Sequence, residues 1–97
     1  MAASTAPGSM EALQYIYEKR NAAANGHETL DTDASREAEK AGDLACERYV
    51  LAKGKLQVEV LQNLDKVPAA GAILVAAWPR LEGASGLPVR VWAICEE

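Results

Sequence analysis

The sequence predicts a single small domain of the α/β class, in which two helices are followed by three strands that form a small mixed sheet. Apolar residues recur at helical spacing up to about residue 53, and from residue 56 they alternate with polar residues or run together. With 97 residues, the chain is too short for two domains of ordinary size. We therefore expect one domain over residues 10–97.

Residues 1–9 are predicted to lie outside this domain, because their Ala, Ser, Gly and Pro content is typical of a flexible leader or a cloning remnant. Ser9 can accept hydrogen bonds from the amides of a first helical turn. A helix over about 10–23 is indicated by apolar residues at helical spacing, namely Met10, Leu13, Ile16 and Tyr17. Asn25-Gly26 is expected to end it, since both residue types tolerate a left-handed backbone.

A second helix is predicted to follow the polar segment HETLDTDAS and to end at Lys53-Gly54. One stripe of this helix is small and apolar: Ala38, Ala41, Ala45, Tyr49 and Ala52. Such a stripe permits close approach to a neighbouring backbone but buries little surface. We expect it to face another element.

Three strands are predicted in the second half of the chain. LQVEVL (56–61) alternates apolar and polar residues, AILVAAW (72–78) is apolar throughout and predicts a strand covered on both faces, and VRVWAIC (89–95) alternates again. The first two strands are separated by a connector that contains Pro68 and Gly71.

The composition predicts a core that is too small for strong stability in isolation. Nineteen of the 97 residues are Ala and Phe is absent, and a domain of this size buries a smaller share of its surface than larger domains do. We therefore expect a homo-oligomer, or a companion chain that completes the fold.

The net charge of −4 argues against a nucleic-acid partner, which needs clustered Lys and Arg. Residues 1–48 hold nine acids and five bases, whereas residues 49–97 hold five of each, so a cation is expected to prefer the first half. The sequence shows neither a membrane span nor an export signal. We expect a cytoplasmic protein in which Cys46 and Cys95 are reduced and buried, with a disulfide as the alternative.

Two groups of carboxylates stand out. The segment GHETLDTD brings four potential ligands together, and its composition favours an acidic turn that caps a helix over a metal site: His27, Glu28, Asp31 and Asp33. Glu59 is predicted to lie in the middle of a strand, where a carboxylate is disfavoured unless its face is wet or the charge has a partner.

The second half of the chain resembles the carboxy-terminal half of the cyclase family of metal-dependent hydrolases. The resemblance is carried by a strand with Glu59, a turn, a Gly-Ala strand, a Gly-rich loop and a Pro-x-Arg-Val strand. These motifs appear as Asn63-Leu64-Asp65, Pro68, Gly71-Ala72, Gly83 to Gly86 and Pro88-Val89-Arg90-Val91. Together with GHETLDTD, they span most of residues 11–95.

The resemblance implies hydrolysis of an amide by water activated on Zn or Mn. It implies Glu59 as a metal ligand and Glu47 as a co-ligand, at a position that is usually His in the family. The family's His-x-Gly-Thr-His-x-Asp motif has no counterpart here, so no catalytic residue is assigned. The resemblance predicts a shortened, cyclase-like protein that is not a complete hydrolase alone and carries no cofactor unless a partner completes the site.

Three alternatives remain open from the sequence. The chain could be one part of a split hydrolase that acts on an amide or a lactam. It could instead be a non-catalytic module that assembles into oligomers, or a module that binds a small molecule. Metal bound after purification would favour the hydrolase, a metal-free oligomer the assembly module, and a ligand-dependent rise in Tm the small-molecule binder.

Overall fold

The α/β class is confirmed by the computed structural model, which describes Ala2–Ser4 and residues 9–97. The described elements are, in chain order, β1 (Ala2–Ser4), α1 (Met10–Gln14), β2 (Ala24–His27), α2 (Ser35–Ala41), α3 (Ala45–Ala52), β3 (Leu56–Val58), β4 (Ile73–Ala77) and β5 (Arg90–Ile94). They divide into two compact units, residues 1–64 and 65–97. A single domain over residues 10–97 stays a prediction, and each unit is described by itself.

The leader predicted over residues 1–9 falls partly outside the described residues, which omit Met1 and 5–8. Of residues 1–9, the structure describes β1, which pairs with β2, and Ser9. The Ser9 hydroxyl caps α1 by accepting from the amide of Ala12 at 3.2 Å. The cap predicted at Ser9 is therefore confirmed. The leader stays a prediction for residues 5–8.

The first helix is shorter than predicted. After α1 it continues as a π-helical turn over Tyr15–Lys19 and ends where Asn21 adopts a left-handed backbone with φ of 52°. Asn25-Gly26 was expected to end this helix, but both residues belong to β2. The prediction was wrong because Asn21, four positions earlier, meets the same backbone requirement.

Three parallel strands form the sheet of the first unit, in the order β1, β2, β3. The central strand β2 is buried from Asn25 to His27. At the end of β3, the amides of Val60 and Leu61 donate to the carbonyls of Thr29 and His27, both at 3.0 Å. These bonds hold the segment after β3 against the segment after β2, which is where the candidate site lies.

The single helix predicted up to Lys53 is two helices. α2 ends at Gly42, which has a φ of 62°, a left-handed conformation that glycine adopts without a steric penalty. α3 begins at Ala45. The predicted Ala stripe spans this break, so its members do not share one helix face.

The core of the first unit is small. Its buried apolar side chains come from the first helix and α3: Leu13, Tyr17, Cys46 and Val50. Ala41 and Ala52 of the predicted stripe are exposed instead. In β3, Leu56 is 58% exposed, whereas Gln57 and Val58 are half-buried. In this unit, the buried side chains thus include hydrogen-bonded polar residues as well as apolar residues.

The second unit contains an antiparallel pair of strands, in which Ile73 pairs with Ile94 and Ala77 pairs with Arg90. Both strands were predicted within one or two residues. The expected burial of 72–78 on both faces is wrong for this chain, since Ile73 is 64% exposed and Val75 is 43% exposed. A two-stranded sheet alone has too few layers to cover its own faces.

None of the helices that the structure describes is long and apolar enough to cross a membrane.

Candidate metal site

Three carboxylates converge in the first unit. One oxygen each from Asp31, Glu47 and Glu59 lies within 4.8 Å of the other two, and all three residues are half-buried. Asp31 follows β2, Glu47 lies in the first turn of α3, and Glu59 directly follows β3. Three separate segments therefore bring like charges together, an arrangement that costs free energy unless a cation neutralises it.

Within this cluster, Glu59 has a buried carboxylate oxygen, Oε1, that lacks a hydrogen-bond partner among the described residues. Burial raises the pKa of Glu59, and the nearby charges of Glu47 and Asp31 raise this pKa further. A buried carboxylate oxygen without a donor is rare in folded proteins, and a proton on the carboxyl group or a bound cation would satisfy it.

The backbone beside Glu59 is strained. Val60 has a φ of 56°, a left-handed conformation that β-branched residues rarely adopt. This turn ends β3 at Val58, so Glu59 is not in the middle of a strand as predicted. Strain of this kind persists where surrounding contacts hold it in place, and here the amide of Val60 bonds to the carbonyl of Thr29.

Glu47 is held in place through the start of its helix. The buried carboxylate of Asp33 accepts from the amide of Cys46 at 2.7 Å and from the amide of Glu47 at 2.9 Å. These are the second and third residues of α3, whose amides have no partner within the helix. The helix-capping role predicted for the acidic segment is thus confirmed for Asp33, which caps α3 rather than the helix that directly follows it.

Asp31 belongs to a loop that hydrogen bonds fix from both sides. The hydroxyl of Thr29 donates to the Asp31 carbonyl at 2.9 Å. Thr32 is fully buried, and its hydroxyl donates to Gln57 of β3 at 2.6 Å. The Nε2 atom of His27 lies 3.0 Å from the same hydroxyl, and its Nδ1 atom lies 2.9 Å from the carbonyl oxygen of Thr29. His27 therefore belongs to a buried hydrogen-bond network and is not a member of the carboxylate cluster.

Glu28, another acidic residue of GHETLDTD, also has a structural role. Glu28 accepts a hydrogen bond from the amide of Leu64 at 2.8 Å and so fixes the turn after β3. Of the candidate ligands in GHETLDTD, only Asp31 joins Glu47 and Glu59 in the cluster. The sequence does not distinguish Asp31 from the other residues of this segment, because its nearness to Glu59 depends on the pairing of β2 with β3.

The two cysteines differ in environment, and both are free. Cys46 is buried as predicted, and burial together with the adjacent Asp33 raises the pKa of its thiol to about 11. Cys95 was also expected to be buried, but it is exposed.

Comparisons with known proteins find one similarity that matches the resemblance in the sequence. The chain is 30% identical over 84 residues to isatin hydrolase from Roseibium aggregatum. The match covers 87% of this chain but only 32% of that protein, so the chain spans about a third of its relative's length. No family model matches the chain, and no solved structure matches it. The similarity supports a distant, hydrolase-like relationship.

Proposed function

We propose that the chain provides a carboxylate site for a divalent cation and forms one part of a metal-dependent hydrolase centre of the cyclase type. The observation that supports this most directly is the buried, unpartnered Oε1 of Glu59 beside two further carboxylates. A cation at this point would neutralise the three like charges and satisfy the buried oxygen.

The chemistry of the three side chains fits a hard cation. Carboxylate oxygens suit Mg²⁺, Ca²⁺ and Mn²⁺, whereas catalytic Zn²⁺ sites normally include His. Both ring nitrogens of His27 already have hydrogen-bond partners, Thr32 at Nε2 and Thr29 at Nδ1, so His27 cannot contribute without breaking one of these bonds. Of the two metals that the family resemblance implies, Mn²⁺ therefore fits these residues better than Zn²⁺.

In such a centre the bound metal polarises an amide carbonyl and lowers the pKa of water. This chain's own part is to hold and orient the metal through Asp31, Glu47 and Glu59. Three carboxylates, with one ligand atom each, leave about half of an octahedral coordination shell and every histidine ligand to be supplied from elsewhere. We therefore propose that another segment or a companion chain completes the centre.

The proposed substrate class comes from the relative. Isatin is a cyclic amide, and the name of the related enzyme states that it hydrolyses isatin. We extend to this chain only the class, an amide or a lactam. Isatin and a formyl-kynurenine-like amide are the natural substrates to test.

The test separates metal binding from turnover. The purified chain is expected to carry less than one equivalent of metal and to leave isatin unchanged, because the site is open and lacks histidine. Calorimetric titration with MnCl₂ should nevertheless show one saturable site that is lost in Glu59→Gln and kept in Glu39→Gln. Glu39 is exposed in α2 and serves as the matched control.

Two outcomes would contradict the proposal. Equal Mn²⁺ binding by the chain and by Glu59→Gln would exclude the site. Tightly bound, stoichiometric Zn or Mn with metal-dependent turnover by the chain alone would overturn the proposed incompleteness.

Assembly is a second candidate function, and the exposed strands of the second unit favour it. One face of this strand pair carries Ile73, Val75, Trp92 and Ile94, each between 43% and 64% exposed. An apolar face of this kind is typical of surfaces that another layer covers. We propose that a homo-oligomer or the companion chain covers it.

A further inference from the structure

We infer that Asp33 is a positioning residue for the proposed cation site, acting through the backbone of α3 on the Glu47 side chain. The inference rests on the proposed function. Asp33 is 7% exposed, and its two carboxylate oxygens are bonded to two consecutive amides of α3, those of Cys46 and Glu47. Asp33 does not belong to the cluster of three carboxylates.

Asp33 caps α3 although it is distant from this helix in sequence. A capping side chain normally belongs to the residue just before the helix and accepts from the second and third amides. In α3 that residue is Leu44, whose apolar side chain cannot accept a hydrogen bond. The capping group comes instead from a residue 11 positions earlier in the chain. A local cap would stabilise α3 equally well, but it would not attach α3 to the loop that follows β2.

That attachment fixes the distance between two of the proposed ligands. Asp31 and Asp33 are two residues apart in one loop, and Asp33 bonds to the amide of the residue that carries the second ligand, Glu47. The residue between them, Thr32, bonds to Gln57 of β3, two positions before the third ligand, Glu59. Adjacent buried residues thus connect all three segments that supply carboxylates.

The attachment acts against electrostatic repulsion. Three like charges within 4.8 Å push their segments apart whenever no cation is bound. The hydrogen bonds of Asp33 keep α3 near the loop in that state. A cation then meets ligands that are already in place, and less ordering is needed when it binds.

The test moves the cap from Asp33 to Leu44. The double variant Asp33→Ala/Leu44→Asp keeps the net charge and a capping carboxylate for α3 but removes the attachment to the loop. We expect its Tm to recover most of the loss seen in Asp33→Ala. Its affinity for Mn²⁺, measured by calorimetry, should remain about tenfold or more below that of the unmodified chain, the usual effect of losing a group that orients a ligand.

Leu44→Asp alone is the matched control, and it should bind Mn²⁺ at least as well as the unmodified chain. If the double variant regains both Tm and Mn²⁺ affinity, Asp33 only stabilises the helix and the inference is wrong. If the unmodified chain binds no Mn²⁺, the proposed function fails, and NMR still decides the role of Asp33. The convergence of the carboxylates predicts a nuclear Overhauser contact between the Glu47 and Glu59 side chains in the unmodified chain, and this contact should be lost in the double variant. Its persistence there would overturn the inference.

Discussion

Replacing Glu59 with Gln should stabilise the fold when no metal is present. The substitution keeps the shape of the side chain but removes its charge, and the new amide group can donate to the neighbouring carboxylates of Asp31 and Glu47. Most substitutions at partly buried positions destabilise a protein. A gain in stability is therefore a specific sign that Glu59 is held in an unfavourable position.

The size of the gain follows from the distances. At 4.8 Å, the upper limit of these separations, two unit charges in a water-like dielectric repel each other by about 0.9 kcal/mol. Salt at about 0.15 M reduces this roughly by half. Two such pairs therefore give about 1 kcal/mol, which corresponds to a rise in Tm of roughly 4–8 °C for a domain of this size.

The pH dependence provides a second measurement of the same effect. The pKa of Glu59 is raised above its ordinary value of 4.5 in the folded state, so the folded chain binds the proton more tightly than the unfolded chain. The free energy of unfolding should thus fall as the pH rises from about 4.5 through the folded-state pKa. In Glu59→Gln this part of the fall should be absent.

Differential scanning fluorimetry across pH, with and without MnCl₂, measures both effects. At 100 times its Kd, a cation stabilises the folded chain by about 2.7 kcal/mol, and Glu59→Gln should lose this gain. Glu39→Gln, which removes an exposed charge in α2, should behave like the unmodified chain. A lower Tm for Glu59→Gln without metal, or an unchanged response to Mn²⁺, would refute the reasoning.

Three further predictions concern other parts of the chain. Val60→Asn should raise the free energy of unfolding by about 1 kcal/mol in urea, because Asn adopts the positive φ at this position more readily; a loss of stability would contradict the strain. Ellman's reagent should titrate one thiol in the native chain, Cys95, and two in guanidinium, since Cys46 is buried with a pKa near 11. Sedimentation velocity should show a dimer or larger species that dissociates when Trp92 is replaced by Lys, because Trp92 is 47% exposed on the apolar face; a stable monomer would exclude assembly.

The elements that follow strong local patterns were predictable from the sequence. β4 and β5 lie within one or two residues of their predicted bounds, because a continuous apolar run and a strict alternation leave few alternatives. The break at Gly42 and the short strand β2 were missed. A single glycine and a four-residue strand give weak local signals, and tertiary contacts decide their conformation.

The candidate site was predictable only in part, for the same physical reason. Glu59 was predicted as a candidate because a carboxylate between two valines in a strand is unfavourable. Glu47 was predicted from the family resemblance. Asp31 and Asp33 could not be separated from their neighbours in GHETLDTD. Their different roles depend on how the loop after β2 meets α3 and β3, which no spacing along the chain reveals.

The parallel pairing of β2 with β3 has a consequence for how the chain is made. The elements that it aligns are close in sequence, so that Asp31, Glu47 and Glu59, with Asp33, all belong to residues 1–64. A polypeptide that leaves the ribosome exposes these residues before β4 and β5 emerge, and compact units fold in that order. The three carboxylates can thus come together before the apolar strands of the second unit have emerged.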